Sequence, residues 1–144
     1  MTEYRQVTPD FSVAHQLQPA DVATFAGLGY KAIVNNRPDG EAPDQPSSAE
    51  IKAAAEAAGL RFYNLPYAGQ PPPGVVGETA LLLEQAPAPV LAYCRTGTRS
   101  IKAWAMAAAL AGLKRPDEII ALAAKAGYDL GDARGALETL APKI

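Results

Sequence analysis

The stretch Val90-Leu91-Ala92-Tyr93-Cys94-Arg95-Thr96-Gly97-Thr98-Arg99-Ser100 limits what this chain can become more than any other. An apolar run with the length of a buried strand ends on the only cysteine in the sequence. A polar loop follows, and then an Ala-rich segment with the composition of a helix. Strand, tight loop and helix N-terminus together make an anion site. The first amides of a helix have no internal partners and carry partial positive charge. Gly97 lets the loop curl so that successive amides face one centre, and Arg99 adds a planar fork of donors. Cations and a helix terminus favour the thiolate, so the residues point to a nucleophilic Cys94 facing a tetrahedral anion. A lone intracellular cysteine is otherwise a small buried hydrophobe. The run from Arg95 to Ser100, which no core would accept, argues for the site instead.

Each loop residue has an expected part. Arg99 clamps the anion. Ser100 caps the helix and can also donate a hydrogen bond to the sulfur. Arg95 and Thr98 line the rim, with Arg95 raising the local positive potential. Thr96 and Gly97 contribute backbone N–H groups. His15, the only histidine, has no sequence partner that would make it a general base and reads as structural. No His, Cys or carboxylate cluster has metal-ligand spacing, so neither a metal nor a cofactor is expected.

The chain suits one domain over residues 1–144, and 49% of its residues are hydrophobic, as in a globular protein. A net charge of -2 without a basic run gives no reason to expect nucleic acid. Its longest apolar stretch, Ala103 to Leu113, is bounded by lysines and falls short of the roughly 20 residues needed to cross a bilayer. The N-terminus has no apolar signal-peptide core, and a single cysteine fits a reducing compartment. The expectation is a cytoplasmic protein with a small anionic substrate, no nucleic acid and no membrane. Its oligomeric state is not encoded in any recognisable signal.

Along the chain, short strands at Tyr4–Val7 and Phe11–Ala14 flank the turn pair Pro9-Asp10. A helix opens at Pro19, and Gly27 and Gly29 end it. Tyr30–Val34 is the next strand, followed by a long polar loop from Asn35 to Pro46. Ser47 and Glu50 form a capping box for a helix over Ala49–Ala58. A strand at Arg61–Leu65, a stiff Pro-rich connection and a helix from Val75 to Gln85 lead to the Cys94 strand. Helices are expected afterwards at Ser100–Ala111, Pro116–Ala126 and Asp132–Leu140. The alternation implies an α/β fold, a mostly parallel sheet with helices on both faces. Ligands of such sheets lie beyond the carboxyl ends of the strands, where the loops 35–46, 67–74 and 94–99 should converge.

Cys-x-x-Gly-x-Arg-Ser resembles the active loop of single-domain rhodaneses and a one-residue-shorter form of the protein tyrosine phosphatase loop. Over nearly the whole chain, the sequence resembles the phosphatase-like domain of the beta-lactamase hydrolase-like family. Four segments carry this likeness: Phe11-Ser12-Val13-Ala14, Val34-Asn35-Asn36-Arg37-Pro38-Asp39-Gly40-Glu41, Gln45-Pro46-Ser47-Ser48, and the loop Tyr93 to Ser100. The resemblance implies a three-layer, tyrosine-phosphatase-like domain. It also implies either phosphatase or sulfurtransferase activity, since members carry both labels.

A phosphatase needs an acid for its leaving oxygen, and tyrosine phosphatases place an aspartate upstream of the cysteine. Here no Asp or Glu occurs between Glu56 and Glu78. The loop also has four residues between Cys94 and Arg99, one fewer than the phosphatase pattern. Both departures suit a persulfide on Cys94, which needs no such acid. Against them, Asp39 and Glu41 lie on a loop at the correct sheet edge, and Asp39 is the candidate proton donor. The same segment also reads as a turn held by Asn and Asp side chains, with Arg37 tethering it. The leading expectation is hydrolysis of a phosphate ester through a phosphocysteine. The alternatives are sulfur transfer from a sulfane-sulfur donor and non-catalytic anion binding.

Overall fold

The computed structural model describes residues 2–142. Its strands are β1 (Tyr4–Thr8), β2 (Phe11–Ala14), β3 (Ala32–Asn35), β4 (Arg61–Asn64) and β5 (Val90–Tyr93). Its helices are α1 (Pro19–Gly27), α2 (Ser48–Ala57), α3 (Pro73–Gln85), α4 (Thr98–Leu110), α5 (Pro116–Lys125) and α6 (Arg134–Leu140). The strands form one sheet in the order β1-β2-β5-β3-β4. Only the β1–β2 pair is antiparallel, with an irregularity between Gln6 and Thr8; β2, β5, β3 and β4 run parallel.

Side chains alternate across a strand, and the alternation sorts the core into two halves. Phe11, Val13, Ala32, Val34, Val90 and Ala92 face one helical layer with Ile101, Trp104, Ile119 and Leu137. Ala14, Ile33, Leu91 and Tyr93 face the other, with Val22 and Phe25 of α1 and Ile51 and Ala55 of α2. Alanines let α4 lie close to the sheet, and Ala103, Ala105, Ala107, Ala108 and Ala109 are all buried there. Trp104 of the same helix stacks on Phe11, with centroids 5.8 Å apart.

Most element ends fall within two residues of expectation. The capping box is present: the Glu50 N–H donates to Ser47 Oγ at 3.1 Å, and the Ser47 N–H donates to the Glu50 carboxylate at 3.1 Å. Two starts differ. Helix α3 begins at Pro73, where proline's fixed φ suits the first turn. The last helix is interrupted: a 3-10 turn at Gly131–Ala133 precedes α6. Among the described residues, no helix is long and apolar enough to cross a membrane.

The register aligns the carboxyl ends that matter. Asn35 of β3 pairs with Tyr93 of β5 on one side and Asn64 of β4 on the other. The loops leaving those three residues therefore start side by side.

Candidate active site

Cys94 follows β5 directly, and its Sγ accepts the Gly97 N–H at 3.1 Å. Gly97 caps α4 at φ +89°, a conformation that L side chains rarely adopt. A Cβ there would also stand 2.2 Å from the hydroxyl oxygen of Tyr128. That hydroxyl donates to the Thr96 carbonyl at 2.8 Å. In a trans peptide the carbonyl and the following N–H point opposite ways. Fixing Thr96 O outward on Tyr128 thus turns the Gly97 N–H inward onto the sulfur. At the far end of the loop Tyr67 donates its hydroxyl to the Arg99 carbonyl. Burial raises both phenols above their ordinary pKa, and Cys94 adds to each shift, so both hydroxyls stay protonated donors near the sulfur.

Cys94 is only 1% exposed, at the floor of the loop, and Ser100 is equally buried. Ser100 Oγ has no hydrogen-bond partner among the described residues. Arg95, Thr96 and Thr98 stand exposed on the rim, with the two threonine hydroxyls 3.2 Å apart. Beside that rim, Glu3, Arg5, His15 and Tyr128 line a shallow cavity of about 300 Å³ with Thr96 and Thr98. His15 Nε2 sits 3.7 Å from the Glu3 carboxylate.

The guanidinium of Arg99 is engaged. Its two terminal nitrogens donate to the two carboxylate oxygens of Glu41, at 2.9 and 2.8 Å, and one also donates to the Tyr67 carbonyl at 3.1 Å. The same Glu41 Oε1 accepts from Arg37 Nε at 2.9 Å. Arg37 is buried, and its remaining reach goes to Gln16 Oε1 at 3.1 Å. Hydrogen bonds from Arg99, reinforced by Arg37, lower the Glu41 carboxyl to about pH 2. Reciprocally, Glu41 holds Arg99 more firmly protonated, and Cys94 contributes in the same direction, which puts the guanidinium in the sulfur's field.

Asp39, the proton donor expected from sequence, is engaged elsewhere. Its Oδ1 accepts the Ser48 N–H at 2.7 Å and its Oδ2 accepts the Ser48 hydroxyl at 3.0 Å, so both oxygens serve the first turn of α2. Glu41, two residues on, is the carboxylate that reaches the arginine. Tyr67 and Tyr128 were invisible as site residues, although Tyr67 opens one of the three loops expected to converge. Among the described residues no cluster of metal-ligating side chains occurs.

Residues 3–111 match the family model described as "Beta-lactamase hydrolase-like protein, phosphatase-like domain". The chain belongs to this family. The beta-lactamase hydrolase-like protein of Xylella fastidiosa is 33% identical over 126 residues, covering 85% of this chain and 28% of that protein. This chain therefore spans about three-tenths of the length of the curated relatives it matches. A solved structure from Neisseria meningitidis, described as a candidate phosphatase, is 38% identical with a TM-score of 0.80, covering 94% of this chain and 96% of that one. Tk-PTP in its active form is alike in fold alone, with a TM-score of 0.72 at 16% identity over 98% of this chain and 97% of its own. The fold is protein tyrosine phosphatase-like: α/β, three layers, with a mostly parallel central sheet.

Proposed function

We propose that this phosphatase-like domain uses Cys94 as a nucleophile toward phosphate monoesters. The thiolate attacks phosphorus, an S–P bond forms, and the P–O bond to the alcohol breaks as that oxygen takes a proton from solvent water. Water then attacks phosphorus, the S–P bond breaks, and thiolate and inorganic phosphate are released. Amides of residues 95–100 and the Arg99 fork hold the equatorial oxygens, and Ser100 Oγ is free to donate to the departing sulfur. The observation that carries the reading is the Gly97 N–H on Cys94 Sγ at 3.1 Å, in a loop tethered at its Thr96 and Arg99 carbonyls by Tyr128 and Tyr67.

One feature favours a second reading, sulfur transfer. Among the described residues no free carboxylic acid stands ready for a leaving oxygen: Glu41 is ionised on two guanidiniums and Asp39 is taken up by Ser48. Attack of the Cys94 thiolate on a sulfane sulfur, forming a persulfide and releasing sulfite from thiosulfate, needs no such acid. Cyanide would then remove the outer sulfur as thiocyanate. A paired assay decides. Aryl phosphate turnover that disappears in Cys94→Ser supports phosphoryl transfer. Thiocyanate from thiosulfate and cyanide, with one sulfur gained on the protein, replaces it with sulfur transfer. Anion binding with neither activity leaves a binding module and ends both.

A further inference from the structure

In the cradle, the fork meant for a substrate oxyanion already grips a carboxylate of the protein itself. Arg99 meets Glu41 through both terminal nitrogens, the two-point geometry that a phosphate or sulfate group would use. The contact spans 58 residues of sequence and joins the β3 loop to the β5 loop. Resting on the anion-cradle reading above, we propose that Glu41 is a specificity-determining residue. It is a resident counter-anion on Arg99 that an incoming oxyanion displaces and then faces, so that it weakens the hold on every oxyanion, and on a dianion, the charge state of a phosphate monoester near neutral pH, more than on a singly charged one.

Three further observations support exchange rather than a permanent strut. The Glu41 side chain is 30% exposed, against 7% for Arg37 and 18% for Arg99, so it has solvent to move into. The backbone around it is pinned independently: the Glu41 N–H donates to Gln45 Oε1 at 3.1 Å, and Gln45 Nε2 donates to the Pro38 carbonyl at 2.9 Å. Only the side chain needs to rotate. Arg37 stands ready to keep it, since its buried Nε already donates to Glu41 Oε1 at 2.9 Å, independently of the Arg99 nitrogens. A displaced Glu41 thus stays close, ionised, and repels the guest in proportion to the guest's charge. Two guanidiniums against one carboxylate leave a single surplus positive charge; without Glu41 there would be two, and a dianion would gain from that difference about twice what a singly charged oxyanion would.

Sulfate and methanesulfonate, near-isosteres carrying two charges and one, test this by calorimetric titration into the full chain at pH 8, where Glu41 is ionised. Glu41→Gln should bind sulfate about tenfold tighter and methanesulfonate only about threefold tighter. Glu41→Asp keeps the charge beside Arg37 on a shorter arm, and its sulfate affinity should fall between wild type and Glu41→Gln. The aspartate variant carries the test if the glutamine variant does not fold. Weaker sulfate binding in both variants would overturn the proposal and make Glu41 a strut that positions Arg99. Equal gains for the two anions would overturn the charge selectivity. Absence of sulfate binding in the wild type and both variants would instead remove the anion cradle itself, and with it the reading on which this inference rests.

Discussion

Two loops leave neighbouring parallel strands at the same sheet edge, and they are built by opposite means. The loop after β5 holds its shape in the backbone: Gly97 at φ +89°, an amide turned onto sulfur, and a helix starting at Thr98. The loop after β3 holds its shape in side chains. Asn35 Oδ1 takes the Arg37 N–H at 2.8 Å while its Nδ2 spans to the Arg37 carbonyl and Asn64, and Asn36 Nδ2 donates to the Leu65 carbonyl. The inward Gly97 amide is held by left-handed backbone and by the Tyr128 tether on Thr96, with no charged partner to exchange, so the first loop supplies a fixed field. Carboxylates and guanidiniums can change partners by rotating a side chain, so the second supplies an exchangeable charge. A site that binds and releases anions needs both.

The difference predicts where damage should be greatest. Gly97→Ala strikes the backbone-built loop twice. Left-handed backbone at a residue with a Cβ costs about 1–2 kcal/mol. Its Cβ also displaces the Tyr128 hydroxyl, which releases Thr96 and lets the inward amide turn. Losing one preorganised donor of this kind costs roughly 10²–10³ in kcat. Turnover should fall by about that factor and the melting temperature by several degrees. Tyr128→Phe sharpens the point, because it removes the tether without the strain and should cost activity with little loss of stability. Unchanged turnover in Gly97→Ala would mean that the loop's amides do not work as a unit.

The sequence disclosed the backbone-built loop far better than the other, for a physical reason. A strand that ends on a cysteine, a glycine three residues later and an Ala-rich helix are all local signals, and each constrains its neighbours. The capping box at Ser47 and Glu50 was legible on the same grounds. Glu41 reaching Arg99 and Tyr128 reaching Thr96 are contacts across 58 and 32 residues, set only once the sheet has assembled. Asp39 and Glu41 sit two apart on an aperiodic loop, and no sequence rule says which faces the site. Ser48, at the start of α2, captured the shorter side chain.

A smaller effect should separate the two loops by pH. Glu41 has its pKa lowered from 4.5 to about 2 by Arg99 and Arg37. A group depressed on folding stabilises the protein above its unfolded pKa, and that contribution fades as pH falls through the folded value. The gap in melting temperature between wild type and Glu41→Gln should therefore be constant above about pH 5 and shrink as pH falls from about 4.5 toward 2. Gly97→Ala, whose cost is backbone strain, should show a gap that ignores pH over that range. A parallel response of the two variants would erase the distinction between fixed and exchangeable loops.

The smallest effect tests Asp39. Its carboxylate works on Ser48 at the start of α2, so Asp39→Ala should behave as the loss of a helix-end acceptor and cost about 1 kcal/mol, a few degrees of melting temperature. A proton donor to the leaving group would act differently. Its loss slows alcohols of high pKa far more than activated phenols, because phenolates leave without help. Rates on alkyl and aryl phosphates should thus fall in Asp39→Ala by the same modest factor, if they fall at all. A selective collapse of the alkyl rate would show that Asp39 leaves Ser48 during turnover. The β3 loop would then exchange a second carboxylate, and its mobility would extend from one side chain to the N-terminus of a helix.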